Sequence, residues 1–256
     1  MELELNYNLS DLQTREVDNE YAKRFISKYH YSKSCSNIVL AVGEWKGMEL
    51  KNCIIFNYCA GRNMANEVWG GNNNNTIELS RMVSLEPKPK NLESFSIKRA
   101  LDFLKRKMPN IKVVISYADN TMGHKGYCYQ ASNFVYYGQS RTTKEFYLDG
   151  KRIHERTLFA TYQTASSEKL KEILGDRLTW KKSDLSKSRY YIILAQNKKE
   201  RKEIQSKILV KSLPYPKGDN TRYDMYKNGS FSSLNESDAE KETQVDLSRQ
   251  LTIFDY

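Results

Sequence analysis

Four side chains from three separate segments carry groups that could bind a metal ion or transfer protons. His30 and Tyr31 are neighbours, Asp119 follows a short apolar segment, and Tyr129 lies ten residues later. Iron accepts imidazole, carboxylate and phenolate ligands, and tyrosine or aspartate can also act as a general acid or base. Each residue also has a structural alternative, because most histidines and tyrosines are core or surface residues and aspartates often cap turns. The sequence alone therefore leaves these four residues as candidates.

Arg81 is a further candidate because it interrupts an otherwise apolar segment. Residues 76–84 predict a β-strand. Within this strand, the position of Arg81 relative to the apolar residues Leu79 and Val83 is not the one expected for a solvent-facing side chain. We expect its guanidinium group to point into a cleft, where it could bind a phosphate or carboxylate through two hydrogen bonds. The alternative is a surface arginine on an edge strand.

A second group of candidates lies before and within the first turn of a predicted helix. Lys88 and Lys90 precede this helix, and Ser94 is near its N-terminus. A helix N-terminus and nearby ammonium groups attract anions, so these residues could hold the anionic part of a donor molecule. Ser94 could equally be a capping residue. His124 and His154 are weaker candidates.

The elements that must position these side chains follow an alternating order. The predicted strands cover residues 38–42, 53–58, 76–84, 112–117, 134–137 and 190–194, and the predicted helices cover 18–28, 92–107, 127–133, 167–174 and 198–207. This order predicts an α/β fold with a mixed central sheet and helices on both faces. Asp119 then follows the carboxyl end of a strand, where open α/β sheets bind ligands.

The charge of the chain is high and unevenly distributed. The formal net charge is +10. From Lys217 onward there are five basic and eight acidic residues, a net charge of −3, so the remaining chain carries +13. A basic body with an acidic tail indicates a polyanionic partner, most simply DNA, although a generic basic protein would have the same charge.

Composition and hydropathy argue against several other classes of protein. The four cysteines form no Cys-x-x-Cys pair, so they predict packing residues rather than a structural zinc site. No apolar run approaches the roughly 20 residues of a membrane span, and the acidic N-terminus lacks the features of a signal peptide. We therefore expect a cytoplasmic protein that contacts no membrane.

Several separate motifs, in the same order, resemble those of the Mom family of phage DNA-modification proteins. They are YHYS at residues 29–32, ELSRM at 78–82, YADNTMGHKGYCYQASN at 117–133 and YYG at 136–138. The resemblance covers residues 20 to 215. It implies an enzyme that converts adenine in DNA to a carbamoylmethyl derivative and so protects phage DNA from restriction by the host.

The resemblance also implies a fold and a set of site residues. The family is similar in fold to the GNAT acetyltransferases. The family positions that match His30, Tyr31, Asp119 and Tyr129 are implicated in activity and in iron binding. With Arg81, these residues form the expected catalytic set. Adenine inside a duplex is inaccessible, so such an enzyme must flip the base or act on unpaired DNA. The aromatic residues of segment 127–137 could stack against that base, although most aromatic residues in strands belong to the core.

One segment departs from the GNAT pattern. GNAT enzymes hold the coenzyme A pyrophosphate with a glycine-rich loop before the long helix, but residues 84–93 (SLEPKPKNLE) contain no glycine. Coenzyme A binding in the standard manner is therefore not expected. The donor is left open between acetyl-CoA and another acyl or glycyl compound.

Two other functions remain open at this point. One is an acyl-CoA-dependent N-acetyltransferase acting on a protein or small molecule, against which the missing glycine loop and the basic body argue. The other is a non-catalytic DNA-binding protein on a GNAT scaffold, against which the grouped histidine, aspartate and tyrosine motifs argue.

The last 41 residues predict a segment different from the catalytic domain at 1–215. Residues 216–256 are rich in Asn, Ser, Asp and Glu, which is typical of a disordered acidic tail. Near its end, Gln250, Leu251, Ile253 and Phe254 resemble the Gln-Leu-Ser/Asp-Leu-Phe peptide that bacterial replication proteins insert into the sliding clamp. The three apolar residues could fill a pocket while Gln250 fixes the register. The alternative is an apolar end that folds back onto the domain.

Overall fold

The computed structural model describes residues 6–35, 37–59, 61, 63–120, 123–140, 144–153, 155–182, 186–217, 223–227 and 230–234. The strands are β1 (Gln13–Glu16), β2 (Leu40–Lys46), β3 (Glu49–Tyr58), β4 (Thr76–Ser84), β5 (Val113–Asp119), β6 (Val135–Gln139), β7 (Lys144–Leu148), β8 (Lys151–Ile153), β9 (Leu178–Lys182), β10 (Lys187–Ile193), β11 (Tyr223–Lys227) and β12 (Ser230–Leu234). The helices are α1 (Asn19–Tyr29), α2 (Met64–Trp69), α3 (Leu92–Lys107), α4 (Tyr127–Ala131), α5 (Glu155–Tyr162), α6 (Ser167–Leu174) and α7 (Lys198–Ser206).

A seven-stranded mixed sheet organises the larger of two compact units, which contains the chain up to Gly138 and from Ser188 onward. The strand order is β1-β2-β3-β4-β5-β10-β6. Neighbours from β1 to β4 pair antiparallel, whereas β4 and β5 pair parallel with Ile77 opposite Val114. The predicted mixed α/β sheet is confirmed.

Helices cover both faces of this sheet, also as predicted. On one face, α3 and α4 pack against β3, β4 and β5, with Ile97, Leu104 and Phe134 fully buried. On the other face, α1 packs against β2 and β3, and α2 and α7 pack near β5 and β10. Successive side chains of β5 point to opposite faces of the sheet, so Val114 packs in the core on the first face and Ile115 in the core on the second.

Residues 64–69 form a helix that is not among the helices predicted from the sequence. Ala65, Val68 and Trp69 of α2 are buried, and the Trp69 indole N–H donates to Thr76 Oγ1 at 2.9 Å. The helix ends at Gly70, whose φ of 68° suits a residue without a side chain. Burial of the apolar face favours this helix despite the surrounding asparagines.

Residues 139–187 form the second compact unit, a part of the chain that the sequence analysis includes in a single domain at 1–215. Its three-stranded sheet has the order β8-β7-β9, and α5 and α6 contribute to its own core. Phe146, Leu158 and Leu170 are buried there. Asp149 and Gly150 form the turn between β7 and β8, with φ angles of 51° and 75°.

The segment predicted to be a disordered tail contains a hairpin of β11 and β12, in which Tyr226 pairs with Phe231. The clamp-like residues 250–254 lie outside the described residues. Within the described part of the chain, no helix is long and apolar enough to cross a membrane.

Candidate active site

A β-bulge at Ser80 aims Arg81 toward the helix α1 side of the sheet. Ile55 pairs with Arg81 while its neighbour Phe56 pairs with Leu79, so Ser80 is an extra residue in β4. Because side chains alternate along a strand, the inserted residue reverses the faces of all residues after it. Arg81 consequently shares its face with Val83 rather than with Leu79.

The Arg81 guanidinium ties the loop after α1 to strand β4. Its Nε donates to the Ser34 carbonyl at 3.0 Å, and its Nη1 donates to the Ser80 carbonyl at 2.6 Å. The first bond crosses 47 positions of sequence and holds the loop that carries His30 and Tyr31. That Arg81 points into a cleft and binds a phosphate or carboxylate there stays a prediction.

His30 ends helix α1 and is buried, with 8% of its surface exposed. Its Nδ1 accepts a hydrogen bond from the Ser32 main-chain N–H at 3.1 Å and lies 2.8 Å from the Ser32 hydroxyl. Burial and, to a smaller extent, the nearby charges of Arg81 and His124 lower the pKa of His30 to about 3. The imidazole is therefore neutral near pH 7.

Tyr31 connects the helix α1 side of the site to the end of strand β5. Its hydroxyl donates a hydrogen bond to the Asp119 carboxylate, and its ring lies 4.3 Å from that of His30 and 5.8 Å from that of His124, measured between centroids. Burial and the Asp119 charge together raise the pKa of Tyr31 to about 12. The phenol is protonated at neutral pH and is a hydrogen-bond donor to Asp119.

Tyr129 is held at the other side of the site by helix α4. Its backbone N–H donates to the Gly126 carbonyl at 2.9 Å, and its ring packs 5.4 Å from that of Phe134. Burial raises its pKa, and a hydrogen bond with Ser116 opposes that rise. The charge of Tyr31 acts in the same direction as burial and raises the Tyr129 pKa as well.

The structure thus brings the five predicted catalytic residues into one region: the charge of Arg81 acts on His30 and Tyr31, and Tyr31 interacts with Asp119 and Tyr129. It adds two residues. His124, a weaker candidate from sequence, lies against Tyr31. Glu78, which sequence reasoning missed, raises the pKa of both Tyr117 and Tyr129 by its charge. A lone carboxylate within the apolar β4 segment was the signal for Glu78.

The three predicted donor-binding residues lie elsewhere. Lys88 forms ion pairs with Glu86 and Glu93, and these carboxylates raise its pKa although burial alone would lower it. Its charge is already compensated, so the structure does not favour Lys88 as an anion ligand. Lys90 is exposed, and the Ser94 hydroxyl donates to the Asn91 carbonyl at 3.2 Å, whereas a capping serine would accept from a backbone N–H.

Ser94 also lines a cavity of about 450 Å³ between α3, the end of α4 and β10. Lys98, Lys105 and Arg201 contribute positive charge to this cavity, and Asp102 contributes one negative charge. None of the five predicted catalytic residues lines it.

The model of the Mom protein family matches residues 11–217, most of the chain. The chain belongs to the Mom protein family. It is 31% identical over 216 residues to the methylcarbamoylase Mom of Escherichia phage Mu, a match covering 83% of this chain and 87% of that protein.

Solved structures of acetyltransferases resemble this Mom family member more weakly. The spermidine/spermine N-acetyltransferase SpeG of Vibrio cholerae is 13% identical, with 73% of this chain and 94% of that chain covered and a TM-score of 0.40. An N-acetyltransferase of Staphylococcus aureus Mu50 is 13% identical, with 61% and 68% covered and a TM-score of 0.35. Similarity at this level carries no argument about the activity or cofactor of the family member.

The residues for which family resemblance implies iron do not fit that ion in this arrangement. Among the described residues, no three His, Cys, Asp or Glu side chains are grouped to hold a metal. His30 uses the Nδ1 lone pair for the Ser32 N–H, so the proton of its neutral ring is on Nε2. Tyr31 is a protonated donor to Asp119. No step of the proposed reaction therefore uses iron.

The aromatic segment expected to stack a base is largely core in this family member. Phe134, Tyr136 and Tyr137 are 0%, 7% and 5% exposed. Their rings pack against Tyr129, Tyr190 and Tyr191 rather than facing solvent. This outcome follows the alternative reading, in which aromatic residues of strands belong to the core.

Proposed function

We propose that this protein is a DNA-modification enzyme that adds a carbamoylmethyl-type group to the N6 atom of adenine in DNA and thereby protects that DNA from restriction. Membership in the Mom family and the match to a phage methylcarbamoylase support this function. The observation that carries it is the hydrogen bond from Tyr31 to Asp119 beside neutral His30 and Arg81. Such an enzyme acts in the cytoplasm of the bacterial host.

The Tyr31–Asp119 pair supplies an acceptor for the proton that the N6 amine loses in the reaction. The exocyclic amine of adenine is a weak nucleophile because its lone pair is delocalised into the ring. As the new N6–C bond forms, the bond from that carbon to the leaving group breaks and the leaving group takes the electron pair. Tyr31 accepts the proton lost from N6 while its own proton passes to Asp119.

His30 and Arg81 act on the same reaction by hydrogen bonding and charge. The neutral His30 ring carries its proton on Nε2 and donates to an acceptor on the base or the donor molecule. Arg81 supplies a fixed positive charge that favours the negative charge developing on the leaving group. Its bond to Ser34 also holds the loop bearing Tyr31 in place.

The cavity beside Ser94 is the proposed site for an anionic part of the donor, whether acetyl-CoA or another acyl or glycyl compound. Lys98, Lys105 and Arg201 would attract phosphate or carboxylate groups there. Calorimetric titration with acetyl-CoA and with glycyl compounds tests this, and Lys98→Gln should weaken binding of the true donor.

Nucleoside mass spectrometry tests the function directly. DNA from bacteria expressing the protein should contain a deoxyadenosine heavier by a carbamoylmethyl group, and this product should be absent with Asp119→Ala. Unmodified DNA together with an acetylated protein or small molecule would favour the N-acetyltransferase alternative. Unmodified DNA with tight DNA binding and no transfer at all would favour the non-catalytic alternative.

A sliding clamp of the host or phage is the proposed protein partner. The residues that support it, Gln250, Leu251, Ile253 and Phe254, lie at the end of an acidic segment. Short peptides of this kind bind weakly, so their effect comes from raising the local concentration of the enzyme on newly copied DNA.

A further inference from the structure

Helix α1, which ends at the candidate active-site residue His30, carries an exposed stripe of aromatic and basic residues. Tyr21, Arg24 and Lys28 are exposed and spaced three and four residues apart, which places them on one face of the helix. The buried face of the helix packs Phe25 and Ile26 against the sheet. The stripe itself faces solvent, and its last member precedes His30 by two residues in sequence.

Two aromatic rings and two arginines form a continuous row at the start of this stripe. The rings of Tyr21 and Trp45 are stacked, with centroids 6.0 Å apart and an angle of 27°. The Arg15 guanidinium lies 4.8 Å from the Trp45 ring, and that of Arg24 lies 6.0 Å from the Tyr21 ring. Tyr21 remains 40% exposed, so the row presents both positive charge and an aromatic surface to solvent.

A concave surface adjoins this row. A cavity of about 500 Å³ is lined by Tyr21, Tyr29, Lys46 and the 87% exposed Met48, among others. It adds one positive charge (Lys46), one negative charge (Glu49) and further apolar surface next to the stacked rings.

The carboxylates near the row are already engaged. Glu20 pairs with Lys23 at 2.6 Å, Glu49 pairs with Lys51 at 2.6 Å, and Glu16 pairs with Lys107 at 2.8 Å; Asp18 accepts from the backbone N–H groups that begin α1. Within the described residues, no ion pair involves Arg15, Arg24 or Lys28. The stripe therefore has uncompensated positive charge that suits a polyanion.

We propose that this surface, named the α1 track and consisting of Arg15, Tyr21, Arg24, Lys28 and Trp45, binds the DNA strand that carries the target adenine. From Tyr21 to His30 the helix rises by about 13 Å, so a strand lying along α1 would extend toward the loop that carries Tyr31. Basic groups alternating with aromatic rings are the usual means of holding an unpaired strand. The identity of the partner as DNA rests on the proposed function, whereas the position of the surface rests on the contacts above.

The test uses the full-length protein and fluorescein-labelled single-stranded DNA containing adenine, without any donor. Arg24→Gln combined with Lys28→Gln should weaken binding about tenfold and reduce the salt slope by about 1.4, since each phosphate contact contributes about 0.7 for single strands. The matched control is Lys198→Gln with Lys202→Gln, which removes the same charge from the exposed face of α7. Its affinity and slope should stay near those of the wild type.

A separate measurement tests the contribution of Tyr21 to strand binding. Tyr21→Phe should retain binding, and Tyr21→Ala should weaken it several-fold, with the greater loss on single-stranded than on duplex DNA. Urea unfolding of each variant confirms that the fold is intact.

Equal losses in the α1 and α7 variants, or wild-type binding by Arg24→Gln with Lys28→Gln, would overturn the proposal. Loss of binding to anionic vesicles with DNA binding unchanged would overturn it as well and assign the surface to a membrane. The reaction is measured separately: intact α1-dependent DNA binding without adenine modification would refute the proposed function and leave the α1 track established.

Discussion

The main-chain N–H of Ser32 donates a hydrogen bond to Nδ1 of His30 across 3.1 Å, and the Ser32 hydroxyl lies 2.8 Å from the same nitrogen. A backbone N–H cannot accept a hydrogen bond, so this contact requires a lone pair on Nδ1 and a proton on Nε2 of the neutral ring. The turn after α1 thereby determines how the imidazole can act. It presents a hydrogen-bond donor to the site instead of a base or a metal ligand.

The His30 ring should stay neutral, with its proton on Nε2, across pH 5 to 8. Burial lowers its pKa to about 3 in the folded protein. Because this value lies below the unfolded value near 6.5, the neutral ring contributes stability that is complete above about pH 6.5 and is lost as pH falls toward 3. Nitrogen-15 NMR of labelled histidine reports both tautomer and titration. A His30 signal that titrates near pH 6.5, or a proton on Nδ1, would contradict this prediction.

Tyr31→Phe should reduce the rate of adenine modification by on the order of 10²–10⁴-fold, the usual contribution of a general acid or base. The substitution removes only the hydroxyl that donates to Asp119, and the ring contact with His30 remains. Asp119→Asn should cause a loss of similar size, and the double variant should be little worse than either single variant, because the two residues act as one unit. Additive losses measured by quantitative nucleoside analysis would show that they act independently.

The parts of the fold that sequence predicts well are those with local causes. Helix α3 and strand β4 occupy the predicted residues 92–107 and 76–84, since a regular apolar spacing defines each element. Asp119 was expected at the carboxyl end of a strand and lies there. Its bond to Tyr31 connects residues 88 positions apart, and the family resemblance, not the spacing, suggested that they meet.

The parts that sequence misses depend on distant contacts. The extra residue at Ser80 is visible only when β4 is paired with β3, because the alternation of β4 alone does not reveal a bulge. The row formed by Arg15, Trp45 and Tyr21 joins β1, β2 and α1, so no single segment predicts it. Helix α2 is stabilised by burial of Val68 and Trp69. The polar residues around them in the sequence obscure this apolar pattern.

Gly126→Ala should destabilise the fold by about 1–3 kcal/mol and should also impair catalysis through Tyr129. Gly126 has a φ of 76°, and an added Cβ would lie 2.6 Å from the Tyr190 ring and 3.1 Å from the Tyr129 ring. Gly47→Ala is the control, because Gly47 shares a positive φ but has no atom within 4 Å of the added Cβ. Urea unfolding should show the larger loss for Gly126→Ala, and equal losses would mean that backbone strain alone matters.

The full-length protein should bind an immobilised bacterial sliding clamp through its last residues. Leu251, Ile253 and Phe254 supply apolar side chains for a pocket, and Gln250 supplies amide hydrogen bonds that fix the register. Gln250→Ala combined with Phe254→Ala should abolish binding in surface plasmon resonance, while adenine modification of DNA free in solution stays at the wild-type level. Asp255→Asn, which changes the charge and keeps the apolar residues, is the matched control and should retain binding. If the double variant and the wild type bind equally, both to the host clamp and to a phage-encoded clamp, the terminal segment has no role in clamp binding.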